Sequence, residues 1–230
     1  MSRPEVTAPA HRERARSSSA SSRDREAREH ELDAERFPLT TDYLARIPEG
    51  LGAYPQCESR ASLCQHLLAS DALAREQPRL PRRLRELLTP AGGSRQWIPS
   101  VVYNALFIAV VEQRFADEHA AGRWNFESRA RMFRTPLYRV LMAVASPRMI
   151  LAGAQRRWES FHRGLEFELD YGDNWAHFGL RYPPRLHNRI SAQMIISGVC
   201  AALDAAGATQ LRWTVDRVDE TFGSASVRWQ

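Results

Sequence analysis

A period-two alternation marks the last third of the chain as sheet. Leu165, Phe167, Leu169 and Tyr171 alternate with Glu166, Glu168 and Asp170, giving one apolar face and one acidic face. Gly172-Asp173-Asn174 supplies turn residues that tolerate positive φ. The return strand sets Ala176, Phe178, Leu180 and Tyr182 against Trp175, His177 and Arg181. Leu211, Trp213 and Val215 then alternate with Arg212, Thr214 and Asp216, and Ala225, Val227 and Trp229 with Ser224, Ser226 and Arg228. Two hairpins patterned this way predict an antiparallel sheet with one covered face. A helix-period stripe precedes each hairpin. Ile150, Ala154, Trp158 and Phe161 fall on one face of a helix over 147–162, capped by Ser146 and opened by Pro147. Ile190, Met194, Val199, Ala202 and Ala206 do so approximately over 188–206, and Gly207 sits at the expected stop. Gly198, Ala201 and Ala205 are small enough to let that helix lie close to a sheet.

The first half reads as helices. Leu63, Leu67 and Leu68 form the apolar edge of a helix over 58–70, and a short helix follows over 80–88. Ala91-Gly92-Gly93-Ser94 is a loop. A helix over 99–120 is apolar nearly all round from Val101 to Val111, which predicts a central buried helix. Helices over 124–134 and 136–144 complete this half. The fold class is α+β: a helical N-terminal half, then helix–hairpin–helix–hairpin with a four-stranded antiparallel sheet.

Composition changes this picture mainly at the N-terminus. Residues 1–36 are serine, arginine and glutamate with almost no large apolar groups, so the segment cannot offset its ordering entropy and is expected to be a disordered tail. Residues 37–230 are then a single α+β domain, large enough for a full core. The net charge is +5, and all 32 basic residues are arginine. These are scattered among 27 acidic residues rather than gathered in a patch, so nucleic acid is not the expected partner. Cys57, Cys64 and Cys200 make no disulfide framework, and no apolar signal segment opens the chain, so the expected location is the cytoplasm. Asn104 interrupts the longest apolar run, which is shorter than the ~20 residues a membrane span needs.

Pro136-Leu137-Tyr138-Arg139-Val140-Leu141, Ser146-Pro147, Trp158-x-x-Phe161-His162-Arg163-Gly164, Tyr182-Pro183-Pro184 and Val227-Arg228-Trp229 together resemble a large paralogous bacterial family abundant in myxobacteria. Tyr54-Pro55-Gln56-Cys57 and Trp97-Ile98-Pro99 extend the likeness to roughly residues 50–230. That family resembles the fold shared by heme nitric-oxide-binding domains, 4-vinyl-reductase-type domains and TRAPP vesicle-tethering subunits. The resemblance implies an interior pocket for a small or fatty ligand, and a tendency to dimerise. Two departures bear on cofactors. The heme branch uses an axial histidine and a Tyr-x-Ser-x-Arg motif, and this motif does not occur here. The vinyl-reductase branch carries a cysteine cluster near its C-terminal hairpins, where this chain has only Cys200. Heme and zinc are both disfavoured, and no cofactor is expected.

Individual residues give no assembled catalytic signature. Cys64 and His66 are two apart on an expected helix and diverge, so they do not make a metal pair. His162 ends a helix, where the dipole favours a positive charge. His177 and His187 show no orienting carboxylate. No phosphate loop, nucleophile elbow or H-E-x-x-H motif occurs. The ligand-site candidates are instead aromatic: Trp124, Phe133, Tyr138 and Trp158 as lining, with His162, and Arg131 or Arg139 as partner for an anionic head. The same spacing suits plain helix packing. The sequence therefore points to a non-enzymatic cytoplasmic sensor or adaptor that binds an apolar, acidic small ligand or a protein. A homodimer or a heterodimer with a paralogue is expected, because the apolar surface of residues 101–111 and 136–144 is large for one domain to cover. A vinyl-reductase-type enzyme acting on a tetrapyrrole is the alternative, and an arginine-mediated nucleic-acid-binding module the third reading.

Overall fold

The computed structural model describes residues 32–64, 75, 79–88, 96–136 and 144–230. The element order is α1 (Pro38–Arg46), β1 (Glu58–Arg60), α2 (Arg82–Leu87), β2 (Trp97–Pro99), α3 (Ser100–Arg114) and α4 (Glu118–Phe133). There follow α5 (Pro147–Ala152), α6 (Ala154–Phe161), β3 (His162–Arg163), β4 (Glu166–Tyr171), β5 (Trp175–Arg181), α7 (Arg189–Ala205), β6 (Arg212–Val218) and β7 (Phe222–Arg228). Short 3-10 turns occur at Gly50–Gly52 and Ala61–Cys64. The architecture is α+β, with two antiparallel sheets.

The larger sheet has the order β4-β5-β7-β6 and follows the alternation in the sequence. Leu169 pairs with Phe178, Phe178 with Ala225, and Val215 with Ala225 on the covered face. Glu168, Trp175, His177, Arg181 and Arg228 face solvent. A register shift between Val215 and Arg217 places a bulge at Asp216. Helix α7 lies on the covered face, where Ile196, Cys200 and Leu203 share a core with Phe178, Val215, Val227 and Trp229. It begins in a capping box that sequence reading missed: Asn188 Oδ1 accepts from Ser191 N at 2.9 Å, and Ser191 Oγ accepts from Asn188 N at 3.0 Å. Helix α4 covers the opposite side of α7. Gly122 permits this approach, since a Cβ there would lie 2.4 Å from Gln193 Nε2. Asn125 then donates to Met194 O and Ser197 Oγ, each at 2.8 Å.

Helix α3 is the centre of the helical half. Every residue from Val101 to Val111 is buried within the chain itself, so this helix offers no surplus apolar surface to a second copy. The 136–144 helix lies largely outside the described residues.

Three expected helices differ. The chain over 58–64 is strand and 3-10 turn, because β1 pairs with both β2 and β3 in a second sheet of order β2-β1-β3 and this long-range pairing overrides local propensity. The expected helix over 99–120 is two helices. Asp117 accepts from Ala120 N at 2.7 Å and caps α4, so the acidic turn read as a helix end is a helix start. The helix over 147–162 breaks at Gly153 into α5 and α6, with Ser146 capping the first as expected. Leu32 is buried in the helical core and Arg36 O accepts from Gln113 Nε2 at 2.7 Å, so the packed chain already includes residues counted with the tail. Residues 1–31, the 91–94 loop, His66, Leu67 and Leu68 lie outside the described residues. No described helix is long and apolar enough to cross a membrane.

Candidate ligand crevice beneath helix α7

The β5–α7 connection, Tyr182 to Asn188, is anchored to both halves of the fold. Tyr43 OH of α1 and Asn104 Nδ2 of α3 each donate to Leu186 O at 2.8 Å. Tyr54 OH donates to Pro184 O at 2.8 Å, and Tyr182 OH to Asp219 O at 3.0 Å in the β6–β7 turn. Arg185, at φ 63°, pairs with Glu220 at 3.1 Å. These anchors drive His187 into the interior, where it is 6% exposed and packs edge-on to Tyr182 with ring centroids 4.9 Å apart.

His187 opens onto a crevice between α7 and the sheet. Ala192, Ile195, Ile196 and Val199 form the helix wall. Phe167, Phe178, Leu180 and the Gly223–Ala225 segment form the sheet wall, and Trp158 of α6 closes one side. The enclosed space is about 40 Å³, or about 480 Å³ with its open mouth counted. Trp158 stacks on Phe167 at 4.8 Å and on His162 at 4.1 Å.

Two of the lining residues each carry a buried ring nitrogen. Trp158 Nε1 and His187 Nε2 are both buried and have no protein partner. A buried polar atom left unpaired costs about 1–3 kcal/mol, and native interiors seldom keep one. Burial holds the His187 imidazole down to a pKa of about 3, so it is neutral at physiological pH. His162 is held down to about 3 as well, first by burial, then by the charges of His187 and Arg129. Its Nδ1 meets Ser59 Oγ at 3.2 Å, and Ser59 meets Ser100 at 3.1 Å. His162 is thus a neutral member of the interior and β3, which corrects the expectation of a charged helix cap.

The expected site residues are not all brought together. Trp158 lines the crevice and His162 backs it. Trp124 packs elsewhere, 5.3 Å from Phe115 and beneath the Arg114 guanidinium. Phe133 is half-buried at the end of α4, and Arg131 is exposed on the same helix. Tyr138 and Arg139 lie outside the described residues. Sequence reading noticed His187 without a reason to prefer it. Its signal was Asn104, the amide inside the apolar run of α3.

Other clusters are structural. His177 Nδ1 meets Ser226 Oγ at 3.0 Å, and Ser226 donates to Asp216 Oδ2 at 2.5 Å. Nucleophilic catalysis needs the histidine between hydroxyl and carboxylate. Here the serine is in the middle, on an open sheet face, and the three form a cross-strand ladder. Among the described residues no group of histidine, cysteine, aspartate or glutamate could hold a metal. All three cysteines are buried and free, and burial raises each thiol above its usual range.

No protein-family model matches the chain, and no curated protein does. Among solved structures it is similar to an Fe(II) unliganded H-NOX protein from K. algicida, at 9% identity and a TM-score of 0.46, covering 74% of this chain and 96% of that one. It is also similar to a point mutant of T. Tengcongensis H-NOX, at 8% identity and a TM-score of 0.41, covering 85% and 97%. Likeness this slight carries no argument about function. The heme that the resemblance would imply does not fit the crevice. A space of about 40 Å³ is far too small for a macrocycle, and no arginine stands among its described lining residues to meet a propionate.

Proposed function

We propose that the chain is a non-enzymatic sensor or adaptor domain that takes a small apolar ligand in the crevice between α7 and the sheet. The observation that supports this is the apolar crevice itself, lined by Trp158 and His187, each of which has a buried ring nitrogen without a protein partner. An apolar concavity with a few placed polar groups is the usual chemistry of a small-molecule site. Catalysis is not favoured. The described neighbours of His187 Nδ1 are Ser191 and Asn104, neither of which is the carboxylate that orients a general base. A sensor role follows from the anchoring of the loop. A ligand bonded to His187 acts on a segment held by Tyr43 and Asn104 of the helical half, so occupancy is felt by both halves of the fold.

Native mass spectrometry of protein purified from its own host tests the reading. Wild type is expected to retain a small molecule that Trp158→Phe loses. Leu84→Ala loosens the helical core at a residue that does not line the crevice and is expected to retain it. Equal loss from both variants, or no retained molecule in wild type, counts against the proposal.

A further inference from the structure

The solvent face of the four-stranded sheet, opposite the crevice, carries a cross-strand row at one end. The register sets Trp175 of β5 against Arg228 of β7, and Arg228 against Arg212 of β6. Residues directly opposite share a face, and strands lie about 4.8 Å apart, so the row spans about 10 Å. All three residues are exposed. Two guanidinium groups set opposite one another repel, and among the described residues neither Arg212 nor Arg228 has an ion pair or side-chain hydrogen bond. Arg181 and Arg217, on the same strands, pair with Glu168 and Asp219. The one carboxylate on β5, β6 and β7 is Asp216, and its two oxygens accept from Thr214 and Ser226. Trp175 is open in its own way. Of the other tryptophans, Trp229 is buried, and Trp97, Trp124, Trp158 and Trp213 pack on a ring or a guanidinium group. Trp175 is 38% exposed and among the described residues has no such partner. Its indole lies against the β4–β5 turn, where a Cβ on Gly172 would be 2.4 Å from Nε1.

We propose that this row binds a nucleoside monophosphate, with the base stacked on Trp175 and the phosphate held by Arg228 and Arg212. The site is on the other face of the sheet from the crevice and does not depend on it. A phosphate monoester carries nearly two negative charges at neutral pH, enough to offset both guanidinium groups, and it takes parallel N–H···O bonds from arginine. A carboxylate, with one charge, would leave part of the repulsion in place. The aromatic platform next to the arginines adds a planar group to the ligand. Stacking accepts every base, so the row selects the nucleotide class and not the base. A polynucleotide would need the basic, aromatic track to continue along the face. Here Glu166, Glu168 and Asp170 stand exposed on β4 of the same face and repel a chain of phosphates.

The test uses the full chain, labelled with nitrogen-15, titrated in parallel with adenosine monophosphate, ribose phosphate, adenosine and a short oligoadenylate. The Trp175 indole N–H, assigned with Trp175→Phe, reports binding. Adenosine monophosphate is expected to shift this signal and to bind at least about fivefold tighter than ribose phosphate, the effect of one base–aromatic stack. Arg212→Gln and Arg228→Gln are each expected to weaken the nucleotide at least about fivefold and to leave adenosine unchanged. Gly172→Ala must displace the indole, so it is expected to weaken the nucleotide and leave ribose phosphate unchanged. Adenosine binding as tightly as its monophosphate, or full affinity in both arginine variants, overturns the phosphate contact and the proposal with it. A nucleotide no tighter than ribose phosphate, or no shift of the Trp175 signal at millimolar nucleotide, overturns it too. Tightest binding of the oligoadenylate would make the row part of a nucleic-acid surface and overturn the mononucleotide. None of these outcomes bears on the crevice.

Discussion

Acid should destabilise this fold through His187, and the size of the effect follows from its burial. The folded imidazole holds a pKa of about 3, while the unfolded chain has the ordinary histidine value near 6.5. Because the folded value is depressed, the unfolded state binds the extra proton first. The stability from keeping His187 neutral is complete above about pH 6.5 and is lost progressively as pH falls toward 3. Between pH 8 and pH 5 the linkage integrates to about 2 kcal/mol for this one residue, at 1.36 kcal/mol per pH unit. His162, also held down to about 3 by burial, adds a term of the same sign. Urea unfolding at pH 8, 7, 6 and 5 measures the slope, and His187→Leu isolates the contribution. The variant should be less stable at pH 8, since Ser191 loses its Nδ1 partner, yet it should lose about 2 kcal/mol less than wild type on going to pH 5. Carboxylate titrations are common to both proteins and cancel in the comparison. Parallel slopes within about 0.5 kcal/mol would refute a buried neutral His187.

Three further outcomes follow from packing. Asn125→Ala removes two buried hydrogen bonds between α4 and α7 and should cost about 2–3 kcal/mol in urea unfolding; a cost below about 0.5 kcal/mol would mean that these bonds contribute nothing net to the contact between the two helices. Trp229→Ala opens the core between α7 and β7 and should cost about 3–5 kcal/mol, whereas a loss near ~1 kcal/mol would make the last strand peripheral. Deleting residues 1–31 should leave Tm nearly unchanged, while deleting 1–36 should lower it by several degrees, because Leu32 and the Gln113–Arg36 bond are lost; equal effects would place the packed boundary elsewhere.

The sheet was legible in the sequence because period-two alternation reports burial directly. Phe167, Phe178, Val215 and Val227 face inward as the pattern requires. The central helix was legible for the same reason. The small β2-β1-β3 sheet was not, because its three short strands come from segments up to about a hundred residues apart and pairing at that range leaves no local period. Helix boundaries were lost where polar residues have two readings, as at Asp117, which closes an apolar run and caps the next helix. The crevice was half legible. Trp158 was named from its aromatic stripe, but the crevice it lines forms only where α6, β4 and α7 meet. His187 needed tertiary knowledge altogether, since the loop that buries it is held by Tyr43 and Asn104 far upstream.

The most direct test of the central claim is a crystal structure of the protein isolated from its own host, at a resolution that distinguishes a water from an organic molecule. The account predicts continuous density between α7 and the sheet, in contact with Trp158 and His187. A crevice closed by Trp158 turned outward, or single waters beside both residues with no further density, would contradict it.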